Sequence, residues 1–317
     1  MREVSIVIPN YNGKHFLEDC LKAVFEQDIK DQEVIVVDNG STDGSLEYLN
    51  TYPGVRTIVL DKNYGFCRAV NEGIKAAKSD YVILLNNDTE VEKKFASELL
   101  KAIKSDEKIF SCSSKMVQFH DREAIDDAGD YYCALGWAFG RGKGGRVSDY
   151  EQSVDVFASC AGAAIYRKKM LESLGYFDED HFAYLEDIDI GYRARIHGYR
   201  NVFAPKAVVY HVGSGFSGST HNAFKVKLSS RNNVYLAYKN MPFLQIILNI
   251  PFLLLGHGIK WLFFQKKGLG KEYVMGVKEG FALCRKEKKV GFLWENLPNY
   301  LKIQLELWLN MIRRLQK

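Results

Sequence analysis

Short apolar runs alternate with amphipathic stretches through the first ninety residues. Val4 to Ile8 is an apolar strand stopped by Pro9, and the turn residues PNYNG lead into an amphipathic helix from about Phe16 to Glu26. Val34 to Val37 is a second buried strand, ending in DNGSTDGS, and a helix follows near Leu46 to Tyr52. Val55 to Leu60, the loop DKNYG and a helix from about Phe66 to Ala77 come next. Tyr81 to Leu85 is a fourth strand, and it ends abruptly in Asn86, Asn87 and Asp88. Strand and helix repeating at this pace predict an α/β fold, a mostly parallel sheet with helices on both faces. The loops PNYN, DNGS, DKNYG and NNDT then lie side by side at the carboxyl ends of the strands, where open sheets bind ligands.

Later segments are read the same way. SCAGAAIYRKKM predicts a small-residue strand and a helix from about Lys168 to Leu174. YLEDIDIGYRARIHGYR predicts a helix with Ile188, Tyr192 and Ile196 as its buried stripe. AVVYH reads as a strand closed by His211. Beyond Asn240, Phe243 to Phe264 is apolar except for Gln245, Asn249, His257 and Lys260, with Pro251 in its middle. That length suffices to cross a bilayer, but the proline and the polar residues predict two short helices lying in the membrane interface. Leu297 to Leu315 is again amphipathic. A plain helical subdomain or a homo-oligomer interface is the other reading of this region.

Charge sharpens that picture. The net charge of +4 conceals 17 Lys and Arg against five Glu and no Asp from His221 onward, a net +12, and a net −8 before it. A basic, apolar tail behind an acidic globular part points to an anionic membrane surface. No helix-turn-helix, zinc or RNA-binding signature accompanies the charge, so nucleic acid is not an expected partner. The six cysteines show no CxxC pair and read as buried thiols of a reducing compartment. MREVSIVIPNYNG runs straight into a strand without signal-peptide features, so the expected location is cytoplasmic, peripheral on the inner face of the membrane.

The candidate chemistry sits in the loops. Asp88 and an Asn carbonyl can ligate a hard divalent cation, and an Asx turn is the alternative. Asp38 and Asn39, beside Pro9 and Asn10 across adjacent strand ends, can bind a nucleobase, or simply form a turn and cap the next helix. Arg68 and Asn71 share one helix face and can reach a sugar or phosphate, or remain a solvated face. Glu186 and Asp187 fall in the first turn of their helix, where the dipole favours carboxylates and an ionised one can accept a hydroxyl proton. The alternative is dipole complementation alone, with Asp189 paired to Arg193. His211 is either a metal ligand or a strand-end histidine. No GxGxxG follows the first strand and no GxxxxGK[ST] occurs. FGRGKGG, residues 139–145, reads as a mobile surface loop near phosphate.

Together these motifs resemble glycosyltransferase family 2, the inverting GT-A transferases. The resemblance rests on VSIVIPNYNG, VIVVDNGSTDGS, NYGFCRAVNEGI, YVILLNNDTEV as a variant DXD motif, and the long series CAGAAIYRKKMLESLGYFDEDHFAYLEDIDIGYRARIHGYR with AVVYH. It covers roughly residues 3–240, and the later motifs look most like rhamnosyltransferase-type members. It implies a GT-A catalytic domain over 1–240 and a basic amphipathic helical region, membrane-associated, over 241–317. It also implies a nucleotide-sugar pocket made by Pro9, Asn10, Tyr11, Asp38, Asn39, Asn63, Gly65, Arg68, Asn71, Asn86 and Asn87. Asp88 and Asn86 would hold Mg2+ or Mn2+, Asp187 would be the general base, and Glu186 its nearest rival. The expected reaction moves a sugar, with rhamnose the first guess, from a dTDP- or UDP-linked donor to a lipid-linked or polysaccharide acceptor. Two departures stand out. Asn39 replaces a second carboxylate in the nucleotide loop, though its amide oxygen can still accept the imide N–H of uracil or thymine. The NND triplet leaves one formal carboxylate, which His211 would supplement as a ligand. A sugar-phosphate nucleotidyltransferase and a non-catalytic membrane-bound glycan-binding module are the alternatives. The first would want a basic glycine-rich loop after the first strand.

Overall fold

The computed structural model describes residues 2–213 and 222–315. The four predicted N-terminal strands form as β1 (Val4–Asn10), β2 (Gln32–Asn39), β3 (Val55–Leu60) and β4 (Tyr81–Leu85), separated by α1 (Lys14–Phe25), α2 (Ser45–Thr51) and α3 (Phe66–Ala76). A stretch for which the sequence predicts no strand or helix supplies β5 (Thr89–Val91), α4 (Phe95–Lys104), β6 (Ile109–Gln118), β7 (Ile125–Asp127), β8 (Asp130–Cys133), β9 (Trp137–Gly140) and β10 (Asp155–Val156). Then come β11 (Ala163–Arg167), α5 (Lys168–Ser173), α6 (Glu186–Ile196) and β12 (Arg200–His211). The main sheet runs β3-β2-β1-β4-β11-β6-β12-β10. Its β1 to β4 half is parallel, and β11 lies antiparallel to both neighbours.

Side-chain alternation builds two cores on this sheet. Ile6, Ile8, Val34 and Val36 pack with α1 and α4, while Val7, Ile35 and Val37 pack with α3 and with Ile190 and Ala194 of α6. The predicted stripe of Ile188, Tyr192 and Ile196 is buried on the opposite side of α6, against the β8–β9 hairpin and the C-terminal helices. Helix α6 is therefore covered all round. The cysteines are free thiols, four of them buried.

Four α-helices follow among the described residues: α7 (Ala223–Asn240), α8 (Phe243–Lys266), α9 (Gly270–Leu283) and α10 (Leu297–Leu315). Helix α7 is tied to α6, because Lys239 reaches the buried Asp189 at 2.9 Å alongside Arg193 at 2.6 Å. Gly276 and Gly280 let α9 lie against the main chain of α7, since a Cβ on Gly276 would stand 2.1 Å from the Lys227 carbonyl oxygen.

Two expectations are corrected. Residues 243–266 form one helix that runs through Pro251. An interior proline loses the bond to the carbonyl four residues back and crowds that carbonyl, at about 3 kcal/mol, but the turn before it is pinned by Asn249, which donates to the Gln245 carbonyl and pairs with Gln304 of α10. Residues 139–145 are not a free loop. Phe139 and Gly140 end β9, and the following turn bonds back to Ile125 through Gly144 and Gly145.

Candidate active site

The strand-end loops meet as the alternation predicts, and amides join them. Asn10 Nδ2 donates to Asp38 and Ser41, Asn87 Nδ2 donates to Asn10 Oδ1 at 2.7 Å, and Asn39 Nδ2 donates to Asn63 Oδ1 and the Gly65 carbonyl. They form one wall of a cavity of about 550 Å3, which Pro9, Asn10, Tyr11, Asn39, Asn63, Gly65, Asn86, Asn87 and Asp88 all line. Three expected residues lie elsewhere. Asp38 is behind the wall, binding Asn10 and the Ser41 N–H. Arg68 pairs with Glu72 and Glu179 at the surface. Asn71 is buried, exchanging both amide bonds with the Phe177 main chain. The shared face of Arg68 and Asn71 turns toward residues 177–179, away from the cavity. The Asn39 amide oxygen, expected to meet a nucleobase, accepts the Tyr64 N–H.

At the end of this wall Asp88 meets His211. Pairing of β12 with β5 sets His211 opposite Thr89, which brings Nε2 to 3.4 Å from Asp88 Oδ1. His211 Nδ1 lies 2.7 Å from Asp126, which also holds Lys143 at 2.9 Å. Burial works against a charged imidazole, but the bonds to Asp126 and Asp88 outweigh it and raise His211 to about 9. Once its Nε2 proton is given up, a histidine oriented through its second nitrogen by a carboxylate, with its first beside another carboxylate, has the arrangement of a metal ligand. Asp88 and His211 could hold a divalent cation, and Asn86 lines the same cavity.

The opposite wall carries Glu186 and Asp187 at the start of α6. The chain enters this helix through Phe182, Tyr184 and Leu185, all in the left-handed region at φ 63, 70 and 66°. Such residues cost of order 1–3 kcal/mol each and persist only when their surroundings over-determine them. Asn232 of α7 does so, donating to the carbonyls of His181, Ala183 and Tyr184. Gly65 completes the clamp, since a Cβ there would lie 2.6 Å from Phe182. Burial raises both carboxyl groups, and Asp187 adds to the rise at Glu186. The N–H groups of Ile188 and Ala161 counteract this at Asp187 by stabilising its carboxylate.

Asp126 and Asp130 were not anticipated. Asp130 lines the cavity beside Asp187. Their one signal is the acidic run DDAGD at 126–130, which carries no strand pattern and lies far from Asp187 in the chain.

The profile of glycosyl transferase family 2 matches residues 5–175, more than half of the 317 residues. The chain belongs to glycosyl transferase family 2. The match includes Asp88 and Asp130 and stops before Glu186 and His211. Among relatives, a cholesterol galactosyltransferase of Borreliella burgdorferi is 33% identical over 121 residues, 37% of this chain and 34% of that protein. A poly-beta-1,6-N-acetyl-D-glucosamine synthase of Staphylococcus epidermidis is 22% identical over 214 residues, 65% of this chain and 49% of that protein. The chain thus spans between a third and a half of the length of these family 2 relatives. Two solved structures share its fold. GalNAc-T7 with UDP, GalNAc and Mn2+ superposes with a TM-score of 0.61 at 18% identity, over 75% of this chain and 48% of that one. The Pyrobaculum calidifontis mannosyltransferase PcManGT, in complex with GDP-Man and Mn2+, superposes with 0.54 at 16% identity, over 96% and 88%. The family 2 chain therefore has the GT-A fold.

Proposed function

We propose that this chain is an inverting glycosyltransferase, moving a sugar from a nucleotide-diphosphate donor to a hydroxyl of a lipid-linked or polysaccharide acceptor in glycan synthesis. The observation that carries this reading is the opposition, across one cavity, of the strand-end loops with Asp88 and His211 to the carboxyl pair Glu186 and Asp187. Asn10, Asn63 and Asn87 present fixed amides to the donor, and Asp187 takes the proton of the acceptor hydroxyl as that oxygen attacks the anomeric carbon. Inversion follows from a single in-line displacement. Asp88, His211 and the Asn86 side chain would hold the divalent cation, whose charge stabilises the departing diphosphate. Solved relatives of the same fold bind Mn2+ with UDP or GDP-Man.

The burial pattern of α8 supports attachment to a membrane. Gln245, Asn249 and Gly256 are turned inward, while Phe243, Leu244, Leu254 and Leu255 are more than half exposed. A helix with its polar side chains inside and its apolar ones outside suits lipid. With α10 and the β8–β9 hairpin against its inner side, our reading is that this helix docks on the membrane surface that carries the acceptor. A lipid-linked acceptor is then presented to the cavity from that surface.

Donor choice is tested by measuring nucleotide release from UDP-, dTDP- and GDP-sugars with Mn2+. We expect turnover of a dTDP- or UDP-sugar, dTDP-rhamnose being the first candidate. Binding without turnover of any donor would favour the glycan-binding module instead.

A further inference from the structure

The cavity wall facing α6 is the β8–β9 hairpin, and it brings in a carboxyl group that the reaction so far leaves without a task. Asp130, the first residue of β8, lines the same cavity as Asp187, and a side-chain bond from it helps hold the Asp187 carboxyl down against burial. Oxygen atoms of the two carboxyl groups, together with Cys160 Sγ, lie within 4.8 Å of one another. Oδ2 of Asp130 is buried without a partner among the described residues. So is Oε2 of Glu186, a side chain only 8% exposed that also lines the cavity.

Asp130 is held rigidly in place. Its N–H donates to the Ala158 carbonyl at 3.0 Å, and its carbonyl accepts the Phe157 N–H at 2.9 Å. Behind it the hairpin is clamped by the C-terminal helices. Ala134 N–H donates to Leu307 of α10, Asn310 donates to the Tyr132 carbonyl, and Trp137 Nε1 donates to the Gly256 carbonyl of α8.

Two carboxyl groups this close cannot both be ionised, and one holds the proton for the pair. The surroundings assign it. Burial first, then Asp127 of β7 and Asp187 and Glu186 of α6, push Asp130 toward its neutral form. The Cys160 thiol beside it is itself held protonated by burial. Lys143, the nearby cation, is engaged by Asp126. Asp187 instead receives the main-chain N–H groups that favour a carboxylate.

We propose that Asp130 is a positioning residue whose carboxyl O–H donates to Asp187, fixing that carboxylate as the acceptor of the hydroxyl proton. This rests on Asp187 being the base. In the step, the acceptor oxygen forms its bond to the anomeric carbon as the bond from that carbon to the diphosphate oxygen breaks. The electron pair leaves with the nucleoside diphosphate, the hydroxyl proton goes to Asp187, and Asp130 keeps its own proton throughout.

The test is steady-state transfer as a function of pH for Asp130→Asn, Asp130→Ala and Asp187→Asn of the full chain, with donor KM and activating Mn2+ concentration measured for each. Asparagine donates the same bond without charge, so Asp130→Asn keeps kcat within about threefold and leaves the acid limb of the profile in place. Alanine removes the bond, so kcat falls about tenfold and the acid limb moves up by about one pH unit, as expected for loss of a hydrogen bond to a charged group. Donor KM stays within about twofold in both, because neither change touches the donor loops. The proposal is overturned if Asp130→Ala leaves kcat and the acid limb unchanged. It is also overturned if Asp130→Asn is as impaired as Asp130→Ala and needs more Mn2+, which would make Asp130 an ion ligand through the cluster with Cys160. If Asp187→Asn itself turns over normally, the base assignment and this proposal fail together. If Asp187→Asn is inactive and Asp130→Ala is normal, only this proposal fails.

Discussion

Asp126 shows how much of the proposed metal site lies behind the ligands. Its carboxylate sits between His211 and Lys143. Burial pushes it up, yet the bonds from His211 and Lys143 prevail and hold it at about 2. It stays anionic over the working range and keeps the imidazole aimed at Asp88. Partners of this kind set the affinity of the ion they never touch. Asp126→Asn should therefore raise the Mn2+ concentration for half-maximal turnover by about 10–100-fold with saturated turnover largely preserved, measured by titrating the ion at fixed donor. An unchanged requirement would place the cation elsewhere. Asp88 was readable from the sequence because an apolar strand delivers it to the mouth of the sheet. Asp126 and Asp130 were not, because short antiparallel strands in a stretch without clear periodicity carry them there.

At the scale of elements, the four strand-end loops were legible because parallel β/α alternation leaves their position no freedom. The helix carrying Glu186 and Asp187 was legible too, but not what aims it. Three left-handed residues precede α6, held by Asn232 from α7 and by the packing of Gly65 on Phe182. Contacts made by residues so far apart in sequence leave no periodic trace. Asn232→Ala removes the amide whose two N–H donors, shared among three carbonyls, hold this entry. We expect a fall of about 10–100-fold in kcat, the cost of a misplaced base, with donor binding unchanged. The variant should also melt earlier, since unpaired buried carbonyls cost about 1–3 kcal/mol. A variant with normal kcat would show that the entry is not functionally strained. Pro251 does not break α8, because a cost of about 3 kcal/mol is offset by the contacts of a long helix pinned by Asn249 and Gln304.

For the whole molecule, the charge asymmetry and the outward apolar faces coincide. The basic segment from His221 onward is the one whose helices α8 and α10 expose leucines, among them Leu301, Leu305 and Leu309 at fourfold spacing. The proposed division at residue 240 separates α7 from α8, although α7 packs closely on α9. Point changes are therefore a cleaner probe of docking than truncation. Leu301→Glu with Leu305→Glu should reduce co-sedimentation with anionic vesicles at least tenfold without lowering the melting temperature, and equal sedimentation would remove the membrane reading. The proposed reaction requires Asp187 to accept the hydroxyl proton across the cavity from the donor loops. The most direct measurement is the transfer rate of Asp187→Asn at saturating donor and Mn2+, alongside donor binding by calorimetry. Loss of transfer by about 10²–10⁴-fold with donor affinity retained is the predicted result, and a transfer rate near that of the unaltered chain would contradict it.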